Sequence, residues 1–179
     1  RWSIGEGDLG RMYGVAFSPD GREIAGGGTS GTAAGGHQLQ VYSAVNGEPR
    51  RRVELDAGNV VRLLWTQSGR HLAACLSGTH GVRIVAAEGG GRPYADAFDA
   101  PCFGLAELPD GSILASGYDG RIRQYRERDG AWRLERTVRT GVGDPRSLAV
   151  SPDGRHVAVG YNSRHTDGQA VVDVLDAGT

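Results

Sequence analysis

Apolar residues along this chain come in short runs, and almost every run is closed by Gly or by Asp-Gly. Runs this short with turn residues between them are the pattern of β-strands joined by hairpins. No window longer than ten residues keeps apolar positions at helical spacing without such a break, so no helix is expected. The pattern also repeats. Gly14-Val-Ala-Phe-Ser-Pro-Asp-Gly-Arg-Glu-Ile-Ala-Gly-Gly27 aligns with Arg62-Leu-Leu-Trp-Thr-Gln-Ser-Gly-Arg-His-Leu-Ala-Ala-Cys75. Gly104-Leu-Ala-Glu-Leu-Pro-Asp-Gly-Ser-Ile-Leu-Ala-Ser-Gly117 and Ser147-Leu-Ala-Val-Ser-Pro-Asp-Gly-Arg-His-Val-Ala-Val-Gly160 complete the set. The turn positions Asp20, Ser68, Asp110 and Asp153 lie 48, 42 and 43 residues apart, so four units of similar length fill the chain.

Within a unit, Asp20-Gly21, Asp110-Gly111 and Asp153-Gly154 supply the positive φ that a hairpin between apolar runs demands. A second turn, clearest at Tyr118-Asp119-Gly120, leads into Arg121-Ile-Arg-Gln-Tyr125. A third, at Asn46-Gly47 or Asp129-Gly130, leads into alternating runs such as Trp132-Arg-Leu-Glu-Arg136. Gly21, Gly111, Asp119, Gly120 and Gly154 are therefore read as structural turn residues, and each unit as four antiparallel strands. Small residues at Ala16, Ala106 and Ala149 suit innermost strands crowding around an axis, while Arg51-Arg-Val-Glu-Leu55 and Arg133-Leu-Glu-Arg136 put charge on outer edges. The expectation is an all-β ring of radial blades at 11–56, 57–99, 100–141 and 142–179, with 1–10 as a closing outer strand.

Val15-Ala-Phe-Ser-Pro-Asp-Gly21, Leu114-Ala-Ser-Gly-Tyr-Asp-Gly-Arg-Ile-Arg-Gln-Tyr125 and Leu148-Ala-Val-Ser-Pro-Asp-Gly-Arg155 resemble the blades of bacterial WD-repeat β-propellers, and the resemblance spans essentially the whole chain. The Trp-Asp pair is replaced by Tyr42-Ser43, Val85-Ala86, Tyr125-Arg126 and Leu175-Asp176, so the family's Asp-His-Ser-Trp network is not expected. The resemblance implies partner binding on the face where the chain runs into each first strand. That face would carry Tyr13, Arg62, Phe103 and Arg146, joined by Tyr118, Asn162, Arg164 and His165 from the connections between second and third strands.

Charge and composition narrow the function further. Twenty Lys and Arg against 21 Asp and Glu leave a net charge of -1, which gives no long-range attraction for nucleic acid or an anionic membrane. No apolar run approaches the ~20 residues of a membrane span, and Arg1-Trp-Ser-Ile-Gly-Glu6 has neither an initiator Met nor an apolar h-region, so the expectation is that a signal peptide is absent or was trimmed. The compartment stays open, a cytoplasmic one being the expectation. Gly supplies 30 of 179 residues without a collagen period, which fits many tight turns. Cys75 and Cys102 lack C-x-x-C spacing and read as buried or incidental thiols.

Candidate chemistry is sparse. Gly26-Gly-Gly-Thr-Ser-Gly31 satisfies G-x-G-x-x-G, but no helix follows to hold a pyrophosphate, so a hairpin insertion is expected over 26–36. His71 and His156 share one repeat position and read as solvated turn residues; His37, His80 and His165 fall in second-to-third-strand connections without metal-ligand spacing. No nucleophile elbow is present, and Asp96 and Asp99 read as a solvated loop. Trp65 reads as core, and Trp2 and Trp132 as outer-strand residues packing on a neighbouring blade. No metal or cofactor is expected.

The functional expectation is a non-catalytic protein-interaction or scaffold module, the sensor or scaffold part of a larger bacterial protein. The alternatives are a small-molecule-sensing propeller and a propeller hydrolase or lactonase with an axial metal. Four blades are fewer than such rings usually hold. The expectation is thus part of a longer propeller, or half of a ring completed by a second copy, rather than a closed four-bladed monomer.

Overall fold

A computed structural model describes residues 10–29, 37–162 and 171–178. The expected closing strand at 1–10, most of the Gly-rich insertion, Trp2, Arg164 and His165 lie outside these residues, Gly10 excepted, and Gly10 precedes the first strand. All elements in the described residues are strands, in four antiparallel sheets that follow the repeat. Blade 1 is β1 (Met12–Phe17), β2 (Glu23–Gly28), β3 (Gln38–Ser43) and β4 (Pro49–Glu54). Blade 2 is β5 (Val60–Trp65), β6 (His71–Leu76), β7 (Val82–Ala86) and the short β8 (Tyr94–Asp96). Blade 3 is β9 (Cys102–Glu107), β10 (Ile113–Gly117), β11 (Arg121–Arg128) and β12 (Ala131–Arg139). Blade 4 has three described strands, β13 (Pro145–Val150), β14 (His156–Tyr161) and β15 (Val172–Asp176).

The repeated turn is built by its own side chains. In blade 1 the Gly21 N–H donates to the Ser18 carbonyl at 2.9 Å, with Gly21 at φ 70°. Asp20 Oδ1 accepts from the Ser18 hydroxyl at 2.6 Å and the Arg22 N–H at 3.0 Å, and Ser18 Oγ accepts from the Glu23 N–H at 2.9 Å. Blade 4 repeats this through Ser151, Asp153 and Arg155. Blade 3 lacks the first Ser; there Asp110 Oδ1 accepts from both the N–H and the hydroxyl of buried Ser112. Gly111, Gly120 and Gly154 stand at φ 81°, 73° and 71°.

Because strand side chains alternate, the central strands of blades 2 and 3 each feed two cores. In β6, Leu72, Ala74 and Leu76 pack towards blade 1 against Leu39, Val41 and Val53, while Ala73 and Cys75 join Leu105, Ile113 and Tyr125 of blade 3. A third core sets Leu108, Leu114 and Ile122 against Leu148, Val157 and Val159. Trp65 is core as expected, and Trp132 packs on the second core and edge-on to His71 at 5.3 Å. His71 opens β6 half-buried and is thus no solvated turn residue; burial pushes its imidazole pKa down.

The inner strands β1, β5, β9 and β13 pack each against the next. Their close approach is tightest at Gly14 and Gly104, where a Cβ on Gly14 would lie 3.0 Å from that of Leu63 and one on Gly104 would lie 3.0 Å from Leu148 Cγ. Of the expected alanines, Ala16 packs on the core between blades 1 and 2 and Ala106 is buried in the core between blades 3 and 4. Ala149, by contrast, is exposed.

Two further expectations are corrected by the packing. Cys75 on β6 and Cys102 on β9 are joined in a disulfide, their Cα atoms 5.0 Å apart. Sequence spacing conceals the pair because its partners sit on neighbouring blades. Asp96 is no solvated loop residue: it ends β8, accepts the Tyr125 hydroxyl at 2.6 Å and lies 3.9 Å from Arg123 Nε. Arg123 is buried, pairs with Asp119 and lies over Phe98 at 3.8 Å. Burial works against its charge, but these carboxylates hold the guanidinium pKa above its usual value. The cluster is built around Tyr125, which with Arg126 occupies the position the sequence resemblance gives to the Trp-Asp pair.

Blade 4 forms no packed interface with blade 1 among the described residues. The outward faces of the two end blades leave Val15, Phe17, Val172 and Val174 between 64% and 69% exposed. Among the described residues the arc is open there.

Candidate functional site

Every inner strand carries a β-bulge at the same repeat position, at the mouth of the arc. Met12 pairs with Gly28 but Gly14 with Gly27, so Tyr13 is the extra residue of β1. The same count leaves Val61 extra in β5, Phe103 in β9 and Arg146 in β13. A bulged residue leaves the ladder and its side chain is re-aimed. Together the four bulges line one open depression of about 520 Å³, with Arg62 and Ser147 from the adjoining position.

Four of the residues expected on this face, Tyr13, Arg62, Phe103 and Arg146, thus line one depression. Tyr118, in the β10–β11 connection, stacks tilted on Phe103 with centroids 4.5 Å apart. Its hydroxyl accepts from Arg146 Nη1 at 2.6 Å and from Asn162 Nδ2 at 3.2 Å. Asn162, just past β14, is itself anchored by its N–H on the Asp144 carbonyl at 3.0 Å. The Arg146 guanidinium lies 5.0 Å from the Phe103 ring centroid, within cation–π range. Asp119 and Gly120 serve the turn behind Tyr118: Asp119 Oδ1 accepts from the Arg121 N–H at 3.2 Å.

Val61 and Ser147 escaped the residue-by-residue reading. Their signal was the alignment itself, since Val61 shares the repeat position of Tyr13, Phe103 and Arg146, and Ser147 that of Arg62. His37 and His80 do not line the depression; their carbonyls accept from the Leu55 N–H and from Arg83. Gly26 to Gly28 belong to β2, and a Cβ on Gly27 would collide with Leu39 and Val60, so these glycines serve packing.

Charge at this end of the blades is sorted. Asp56 pairs with Arg83 at 2.7 Å, Asp99 with Arg121 at 3.3 Å, and Asp119 with Arg123. Arg62 and Arg146 line the depression with no carboxylate partner among the described residues. No group of three or more His, Cys, Asp or Glu that could hold a metal occurs among the described residues.

Comparison with solved structures settles the architecture. The chain has a β-propeller fold. The Kuenenia stuttgartiensis hydrazine synthase structure matches at TM-score 0.74 and 20% identity, over 98% of this chain and 49% of that one. The Cps50 (Swd1) β-propeller domain of Myceliophteria thermophila matches at TM-score 0.69 and 14% identity, over 92% of this chain and 51% of that one. The chain thus spans about half the length of both. No protein-family model and no curated protein sequence matches it.

Proposed function

We propose that this propeller arc is a non-catalytic protein-interaction module of WD-repeat type, and that its partner docks at the mouth face. One observation carries the reading: four inner-strand bulges turn Tyr13, Val61, Phe103 and Arg146 into a single depression. Exposed aromatic and Arg side chains held in place are the usual anchors of protein interfaces. Among the described residues the lining holds the hydroxyls of Ser147 and Tyr13 but no imidazole or carboxylate to activate them. The test is partner retention on immobilised protein. Phe103→Ala and Arg62→Ala should reduce it while Arg155→Ala, on the opposite turn, leaves it unchanged. Equal retention by all three variants overturns the assignment of this face.

The bare apolar faces of the end blades support a companion reading, in which further blades or a second copy complete the ring around the same mouth. Light scattering at high concentration should then show self-association of this chain alone, and a monodisperse monomer would exclude it.

A further inference from the structure

We propose that the mouth depression recognises an acidic segment of the partner chain, with Arg62 and Arg146 taking its carboxylates and Tyr13 and Phe103 taking an apolar or aromatic side chain beside them. This deepens the reading above and rests on it for the location of the interface. The argument is one of charge complementarity. A protein of net charge -1 has no general attraction for anions, so an acidic partner has to be drawn by a local arrangement. At this end Arg83, Arg121 and Arg123 are each engaged by a carboxylate. Arg62 and Arg146, the two guanidiniums in the depression, are not, among the described residues.

Arg146 is also held ready. One of its five N–H donors is engaged by the Tyr118 hydroxyl, and its plane is steadied by Phe103. That leaves donors for a carboxylate, in the two-point geometry guanidinium groups favour. Fixing the side chain before binding reduces the ordering cost that a free Arg would carry. The shape selects a peptide over a small anion. The depression is open and broad, so a lone carboxylate would keep most of its water. A segment crossing it reaches both guanidiniums and the Tyr13 and Phe103 surfaces at once.

Calorimetric titration of the intact chain with an oligoglutamate peptide bearing one phenylalanine tests this. The peptide should bind, whereas the matching oligolysine peptide should not. Raising salt from about 0.05 M to 0.5 M should weaken it at least about fivefold. Arg62→Gln and Arg146→Gln should each lower affinity by about tenfold, and the double charge reversal Arg62→Glu with Arg146→Glu should move the preference to oligolysine. Arg155→Ala serves as the folded control. No binding of the oligoglutamate peptide to the unmodified chain overturns the proposal without reference to any variant. Citrate binding as tightly as the peptide would mean a small-anion site, and oligothymidylate binding more tightly would mean a phosphate surface; either overturns it. A natural partner that needs the mouth face but is indifferent to oligoglutamate would remove this proposal and leave the interaction reading standing.

Discussion

Tyr118 and Arg146, on different blades, meet through a 2.6 Å hydrogen bond from Nη1 to the phenol oxygen, and the same oxygen accepts from Asn162. The phenol thus couples the β10–β11 connection to the bulge of β13. Tyr118→Phe keeps the ring on Phe103 and removes the acceptor. The expected cost in folding free energy is about 1 kcal/mol or less, as for a half-exposed hydrogen bond. Affinity at the mouth should fall several-fold, because Arg146 is no longer fixed. A thermal melt and a peptide titration on the same sample read the two effects separately; an unchanged affinity would show that Arg146 needs no such support.

The Cys75–Cys102 bond closes a loop of 27 residues' separation between two blades. Loop-closure entropy for that length corresponds to about 3.5 kcal/mol. Urea unfolding of the double variant Cys75→Ala, Cys102→Ala should show a loss of that order, and reductant should lower the midpoint of the parent but not of the variant. Two titratable thiols in the unreduced parent would contradict the bond. In a reducing cytoplasm the chain would carry the weaker form.

The three glycines of the repeated Asp-Gly first turn, Gly21, Gly111 and Gly154, are not equivalent. Gly21 and Gly111 face open space, so Val there meets only the cost of a left-handed backbone, about 1–2 kcal/mol. At Gly154 an added Cβ would also lie 2.3 Å from Pro109 Cγ on the neighbouring turn. Gly154→Val should therefore lower the melting temperature most. Equal losses at all three sites would remove the contact with Pro109 from the explanation.

His71 predicts a pH dependence. Burial is the largest influence on its imidazole and lowers the pKa; Glu127 at 3.8 Å opposes this and Arg70 adds to it, while Trp132 packs on the ring. The unfolded chain binds the proton more readily, so this contribution is present above the ordinary His pKa and is lost as pH falls below about 6.5. Stability of the parent should drop between pH 7 and 5 by more than that of His71→Gln. A parallel pH profile in the variant would assign the acid sensitivity elsewhere.

The turns and the blade count were legible in the sequence because both depend on neighbours along the chain. Ser18, Asp20 and Gly21 make their bonds within five residues, so the repeat of Asp-Gly and its spacing carry the hairpins and the four sheets without knowledge of packing. The mouth residues Tyr13, Phe103 and Arg146 were legible through the same alignment. Their bulges were not, since a bulge is a mismatch of register between two strands and leaves no mark in either one alone. Contacts between blades escaped for a similar reason. Cys75 meets Cys102, His71 meets Trp132 and Asp96 meets Tyr125 across separations that only the radial stacking of sheets closes. Local hydrogen bonding writes itself into consecutive residues, while packing between sheets selects only size and polarity at each position. The tertiary structure therefore had to decide which buried groups become partners, and which two arginines line the mouth without a carboxylate partner among the described residues.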